Sequence, residues 1–318
     1  MAVEYLRISL TDRCNLNCVY CTPLEKQGFL PHGDLLRHEE LTRAAAAFVR
    51  AGVKKIRLTG GEPLLKKNLL ELVRMVRAIP GLQELALTTN GLLLGELAGG
   101  LRAAGLDSVN ISLDSLTPAT FREITGSDGL DKVQGGITKA LAAGFAGVKL
   151  NVVLMKGIND GEAADFAGLS VDRPLDVRFI EFFPTNKRSD RLKDALFTTA
   201  ETMKKIEQAL GPLTPVPADA GGGPARTYSL AGARGKIGFI SGRSDYFCGS
   251  CNRVRMDCTG KVYPCLFSPA THDLRELLRG GADDAALTGY IKKIFAVKAD
   301  YKRDSASAGH IEMSSLGG

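Results

Sequence analysis

Three times in the first half of this chain an Ala-containing helical stretch runs into a glycine and then into a strand: RAGVKK at Gly52, AAGLDS at Gly105 and AAGFAG at Gly144. A glycine just past a helix is the left-handed C-cap. Repeated helix–Gly–strand joins build βα units, and βα units build parallel sheets. Strand-like stretches at 5–10, 53–59, 82–89, 106–114, 147–155 and 175–183 alternate with helical ones at 39–51, 68–79 and 131–143. Six strands are fewer than the eight of a complete barrel, so the expectation is an α/β fold, either an incomplete barrel or an open sheet. A further helix is expected at 199–210. The segment 211–226, with four Pro and four Gly, then reads as a surface connector. This divides the chain into residues 1–210 and 211–318, with short helices expected at 272–279 and 283–296.

The chemistry is concentrated in the cysteines. Of seven, six form two groups of three, Cys14, Cys18, Cys21 and Cys248, Cys251, Cys265, while Cys258 stands apart. MAVEYLRISLTDR lacks the basic and apolar regions of a signal peptide, and no apolar run reaches the ~18 residues of a membrane span. The expectation is a cytoplasmic chain whose thiols stay reduced, which favours metal or iron–sulfur ligation over disulfides. CNLNCVYC, just after a strand, offers three thiolates from one loop. Three thiolates hold three irons of a cubane and leave the fourth open to a small molecule. Zinc is the rival, although it favours four closed ligands and no His lies near. In the second group Cys258 is a candidate fourth ligand of a zinc ribbon; a small buried side chain is the alternative. The net charge of +6 is modest, and with no Trp and 6% aromatic residues there is no clustered nucleic-acid footprint.

CxxxCxxC with an aromatic before the last Cys (Tyr20) resembles the radical SAM superfamily. TGGEPLL (59–65) and ISLD (111–114) match two further segments of that superfamily, in order and at strand ends. The resemblance implies a 4Fe-4S cluster on Cys14, Cys18 and Cys21. Its open iron chelates S-adenosylmethionine (SAM), with contacts from Tyr20, Gly60, Gly61, Glu62 and Ser112. The paired glycines are expected to let backbone groups approach a ligand.

CNRVR, a thirteen-residue gap, CLFS and a terminal Gly-Gly narrow the resemblance to the GTP 3′,8-cyclase family, as do LTTNG, KLNVV, KGIND, RFIEF and GKIGFIS in order. It implies an incomplete (β/α)6 TIM-like barrel closed by a C-terminal α+β region that carries a second 4Fe-4S cluster on Cys248, Cys251 and Cys265. It implies GTP contacts at Arg7, Arg57, Thr88, Lys149, Arg253 and Arg255, and a tail, Gly317 and Gly318, that reaches the active site. Arginine forks suit phosphate oxygens, and Arg57 and Lys149 are expected to point at one barrel mouth. Phe183 stands where the family usually has a SAM-contacting Met, and the Trp of a later family segment is absent.

The implied reaction, in molybdenum cofactor biosynthesis, is reductive cleavage of SAM to a 5′-deoxyadenosyl radical, removal of the ribose C3′ hydrogen of GTP, addition of the C3′ radical to C8, and reduction to the 3′,8-cyclo-7,8-dihydro product. The implied partners are GTP, an external low-potential electron donor and the downstream cyclic pyranopterin monophosphate synthase. Neither nucleic acid nor membrane is expected, and the chain is read as a monomer or homodimer. The other readings are a radical SAM paralogue acting on another nucleotide, or an auxiliary-cluster peptide maturase. The maturase domains generally carry more cysteines and lack the CNRxR arginines.

Overall fold

The computed structural model describes residues 2–23, 28–217, 223–245, 251–268 and 272–298. All six expected strands form: β1 (Tyr5–Ser9), β2 (Lys55–Thr59), β3 (Glu84–Thr89), β4 (Ser108–Ser112), β5 (Gly147–Leu154) and β6 (Asp176–Glu181). Each neighbour pair is parallel. The expected helices become α1 (His38–Arg50), α2 (Leu69–Arg77), α5 (Leu130–Ala142) and α7 (Thr199–Leu210), and three more stand between strands: α3 (Leu94–Ala103), α4 (Pro118–Thr125) and α6 (Ala163–Asp172). Gly52, Gly105 and Gly144 have φ of +119°, +99° and +73°, so each helix does end on a residue in a conformation that side chains disfavour.

Strand β5 shows how the layers are made. Val148, Leu150, Val152 and Leu154 are buried, while the alternate positions Lys149, Asn151 and Val153 line an interior cavity. In a strand successive side chains point to opposite faces. One set therefore packs on the helices and the other is free to carry chemistry.

The C-terminal third supplies β7 (Thr214–Val216), β8 (Arg226–Ser229), β9 (Ile237–Ile240), β10 (Arg253–Met256), β11 (Lys261–Tyr263) and β12 (His272–Asp273), followed by α8 (Arg275–Arg279) and α9 (Asp284–Val297). These strands extend both edges of the sheet, whose order is β12-β11-β10-β1-β2-β3-β4-β5-β6-β9-β8-β7. Both β10 on β1 and β9 on β6 are parallel. The parallel run is therefore longer than the six strands read from the sequence, because two of its members come from far along the chain. Among the described residues no pairing closes the sheet.

Two local expectations change. The Pro- and Gly-rich connector holds the outermost strand β7, with Pro215 opposite Tyr228; proline is tolerated there because an edge strand leaves its N–H side unpaired. The helix expected from 272 begins only at Arg275, whose N–H is taken by Asp273 Oδ1 (2.7 Å), because His272 and Asp273 pair with β11 first.

Leu6 and Ile8 of β1, Ile237 and Phe239 of β9, and Val254 and Met256 of β10 belong to one hydrophobic core. Each large apolar side chain in it contributes roughly 1.5–3 kcal/mol by burial. A chain ended after Leu210 would expose the edges of β1 and β6 and lose those partners, and open edges invite association. Such a fragment is expected to aggregate where the full chain does not, as size-exclusion chromatography of both would show.

Candidate active site

A cavity of about 1250 Å³ runs along the inner face of the sheet, more than the ~300–1,000 Å³ typical of a single small-molecule site. Cys14, Cys18 and Cys21 line one end, after the C-terminus of β1; Cys251 and Cys265 line the other. The separation follows from register. Because β10 runs parallel to β1 with Tyr5 opposite Arg253, Cys251 precedes the pair and the first cysteine loop follows it. Arg57 and Lys149 line this one cavity, and along it the basic residues of β1, β2 and β10 lie between the two thiol sets. Cys248, Gly317 and Gly318 lie outside the described residues.

Arg255, Arg7 and Arg57 occupy one row across β10, β1 and β2. All three line the cavity and are buried, at 8%, 9% and 3% exposure. Burial and the charge of Arg255 hold Arg7 well below the usual guanidinium range; burial and Arg253 bring Arg255 down to about 10. Among the described residues the buried Arg7 Nε has no partner, nor do the buried Oδ1 atoms of Asn110 and Asn151 on the same cavity wall. Buried donors and acceptors left unpaired are costly, and these are aimed where a polyanion with hydrogen-bonding groups would satisfy them. Arg57 also donates to Tyr5 Oη and reaches Thr88 Oγ1 at 3.5 Å, while Lys149 Nζ is 3.2 Å from Asp176.

The cysteine loop is pinned from several elements. Asn17 and Val19 donate to the carbonyls of Thr125 and Ile124, and Thr185 Oγ1 donates to Tyr20 O at 2.9 Å. Tyr20 Oη donates to Asp114 Oδ2 at 2.6 Å. Burial raises Asp114 to about 6 against the hydrogen bonds from Tyr20 and Val153. Burial first, then the charges of Cys21, Asp114 and Cys14, push the Cys18 thiol up. Clustered thiols of this kind become stable thiolates when a bound metal centre supplies positive charge. Three thiols from one loop are the donor set that a cubane spreads over three irons. At the other end the Cys251 thiol is brought down: burial works against it, but Arg253 and Lys298 outweigh the burial. That favours the thiolate ligation requires.

The paired glycines also serve a contact within the protein. Gly61 N–H donates to Thr11 O and Glu62 N–H to Arg13 O, both at 2.7 Å. A Cβ on Gly60 would lie 2.8 Å from Thr11 O, and one on Gly61 would collide with the Arg13 carbonyl. Their lack of side chains lets the TGGEP turn seat against the cysteine loop. Both glycines still line the cavity, as do Tyr20, Ser112 and Phe183, whereas Glu62 is fully buried behind it. Glu62 accepts from Leu64 N, Thr89 Oγ1 and Asn90 N, and Asn90 in turn holds Asn15 of the loop at 2.8 Å. Burial outweighs those hydrogen bonds and raises Glu62 to about 7. Cys258 is 2% exposed and off the cavity, and burial pushes it up to about 12. It is a packed side chain.

Sequence reasoning missed Tyr5, Lys55, Asn110, Asn151, Arg178 and Lys298, all on the cavity wall. For Arg178 and Asn151 the signal was there: polar residues at alternate positions of otherwise apolar strands.

Residues 8–169, about half the chain, match the radical SAM superfamily, and residues 175–303 match the Molybdenum Cofactor Synthesis C family. A GTP 3′,8-cyclase of Pelotomaculum thermopropionicum is 47% identical over 94% of this chain and 92% of its own length. One of Geobacter sulfurreducens is 46% identical over 99% and 97%. In fold the chain resembles Streptococcus suis SuiB bound to S-adenosylmethionine, with a TM-score of 0.61 at 14% identity, over 92% of this chain and 68% of SuiB.

Two results are expected. Gly61→Ala should lose iron from the first thiol set while the second keeps its own, as iron and sulfide analysis of reconstituted protein would show. Arg57, Arg7 and Lys55 outweigh the burial of Tyr5 and lower it to about 7. The absorbance difference between the wild type and Tyr5→Phe should therefore titrate near pH 7 rather than near 10. Between those values the unfolded chain binds the extra proton, so this group adds stability as pH rises through that window.

Proposed function

Because this chain belongs to the radical SAM superfamily and, within it, to the GTP 3′,8-cyclase family, we propose a division of labour along its cavity. The reaction is conversion of GTP to (8S)-3′,8-cyclo-7,8-dihydroguanosine 5′-triphosphate, a lyase step of molybdenum cofactor biosynthesis. When bound, the cofactors, two 4Fe-4S clusters and SAM, supply the electron-driven cleavage that yields a 5′-deoxyadenosyl radical. Everything else is positioning.

Residues 1–210 hold the first cluster on Cys14, Cys18 and Cys21. The SAM wall is Tyr20, Gly60, Gly61, Ser112 and Phe183, with Glu62 acting from behind through Asn90. Residues 211–318 hold the second cluster, on Cys251, Cys265 and Cys248, at the guanine end. Arg7, Arg57, Thr88, Lys149, Arg253 and Arg255 bind the triphosphate between the two. Arginine forks meet phosphate oxygens two at a time, and Lys149 adds a point charge. The buried row Arg255–Arg7–Arg57 carries this reading, because aligned guanidiniums with an unpaired Nε are explained by an anion placed on them. With the triphosphate fixed there, the nucleoside spans the cavity and its ribose faces the first thiol set. Small displacements at such a site cost large rate factors. Gly317 and Gly318 complete the site as the tail. The electron comes from an external low-potential donor, and the product passes to the cyclic pyranopterin monophosphate synthase.

The test uses anaerobically reconstituted chain, SAM, dithionite and GTP deuterated at C3′. Deuterium is expected in the 5′-deoxyadenosine, dependent on GTP. Unlabelled 5′-deoxyadenosine at the same rate with or without GTP would exclude GTP as the hydrogen donor and favour a paralogue.

A further inference from the structure

The two thiol sets face opposite charge. Asp114 stands beside the first set, where its charge adds to the burial and the Cys21 charge that push Cys18 up. Beside the second stands Lys298, just past the end of α9 and 9% exposed. Its ammonium donates to Pro264 O at 2.9 Å and approaches Cys251 Sγ at 3.9 Å. Pro264 precedes Cys265, so one buried cation sits between Cys251 and the backbone that leads into Cys265. Burying an ammonium costs several kcal/mol unless opposing charge and hydrogen bonds offset it. A carbonyl offsets only part of this; a thiolate cluster offsets the rest.

A cubane with a 2+ core on three thiolates is negative overall, and reduction adds another negative charge. Cluster potentials follow net charge and hydrogen bonds to sulfur, and a nearby cation stabilises the reduced form more than the oxidised one. We propose that Lys298 is a positioning residue that raises the reduction potential of the cluster held by Cys251 and Cys265. The proposal rests on reading the second thiol set as a cluster site.

The test isolates that cluster in the full chain with Cys14, Cys18 and Cys21 changed to Ala, reconstituted without SAM, and titrates it by EPR at poised potentials. Lys298→Gln should keep iron and sulfide but shift the midpoint negative by a tenfold or greater change in the reduced-to-oxidised ratio, 59 mV for one electron. Lys298→Arg, which keeps the charge, should restore most of the shift. An unchanged midpoint in a fully loaded Lys298→Gln variant would overturn the proposal. So would loss of iron from that variant, which would assign the lysine to holding the loop instead. Absence of iron from the triple variant before any change at Lys298 would overturn the cluster reading itself, a failure seen separately.

Discussion

Strand β10 lies parallel to β1, and the rest of the site depends on that pairing. Parallel strands need a long crossover, and here the chain between them covers nearly the whole barrel, from Ser9 to Arg253. The register, Tyr5 opposite Arg253 and Arg7 opposite Arg255, decides two things together. It puts Cys251 at the opposite end of the cavity from Cys14, and it sets guanidiniums from the two ends of the sequence side by side. A slip of one residue would turn Arg253 and Arg255 to the other face of the sheet, where Val254 and Met256 now pack in the core.

That arrangement is unfavourable by itself. Two like charges at about the strand spacing of ~4.8 Å repel by on the order of 3 kcal/mol at an effective dielectric of ~20. The row contains two such neighbours, and all three arginines are buried. Tyr5 relieves some of this by accepting from Arg57, and its lowered pKa shows the surplus of positive charge. The core shared by both halves of the chain holds the row in place. On the function proposed above, a triphosphate on this row would remove the repulsion, so binding energy would be drawn from strain the fold already carries.

The parallel sheet and the first thiol loop were legible because both are local. Helix–Gly–strand joins and CNLNCVYC lie within a few residues of one another, and the alternation within each strand predicts its two faces. The second half was harder. Strands β9 and β10 extend the parallel sheet by pairing with partners over fifty and over two hundred residues away, a relation that no periodicity reports. The same long-range register hid Lys298, whose neighbours Cys251 and Pro264 are distant in sequence. The glycines of TGGEP were read for close backbone approach, and the structure adds the Thr11–Arg13 backbone as one such neighbour, which seats the turn against the cysteine loop.

Phe183 joins the two halves of the site in a way a methionine would not. Its ring packs against Phe267, two residues past Cys265, with centroids 5.9 Å apart, and both rings line the cavity. A methionine has three rotatable bonds and adapts to its surroundings. An aromatic pair of this spacing adds ~0.5–1.5 kcal/mol beyond its burial and prefers defined geometry. The wall read as the SAM pocket is thereby packed against the segment that carries the second thiol set.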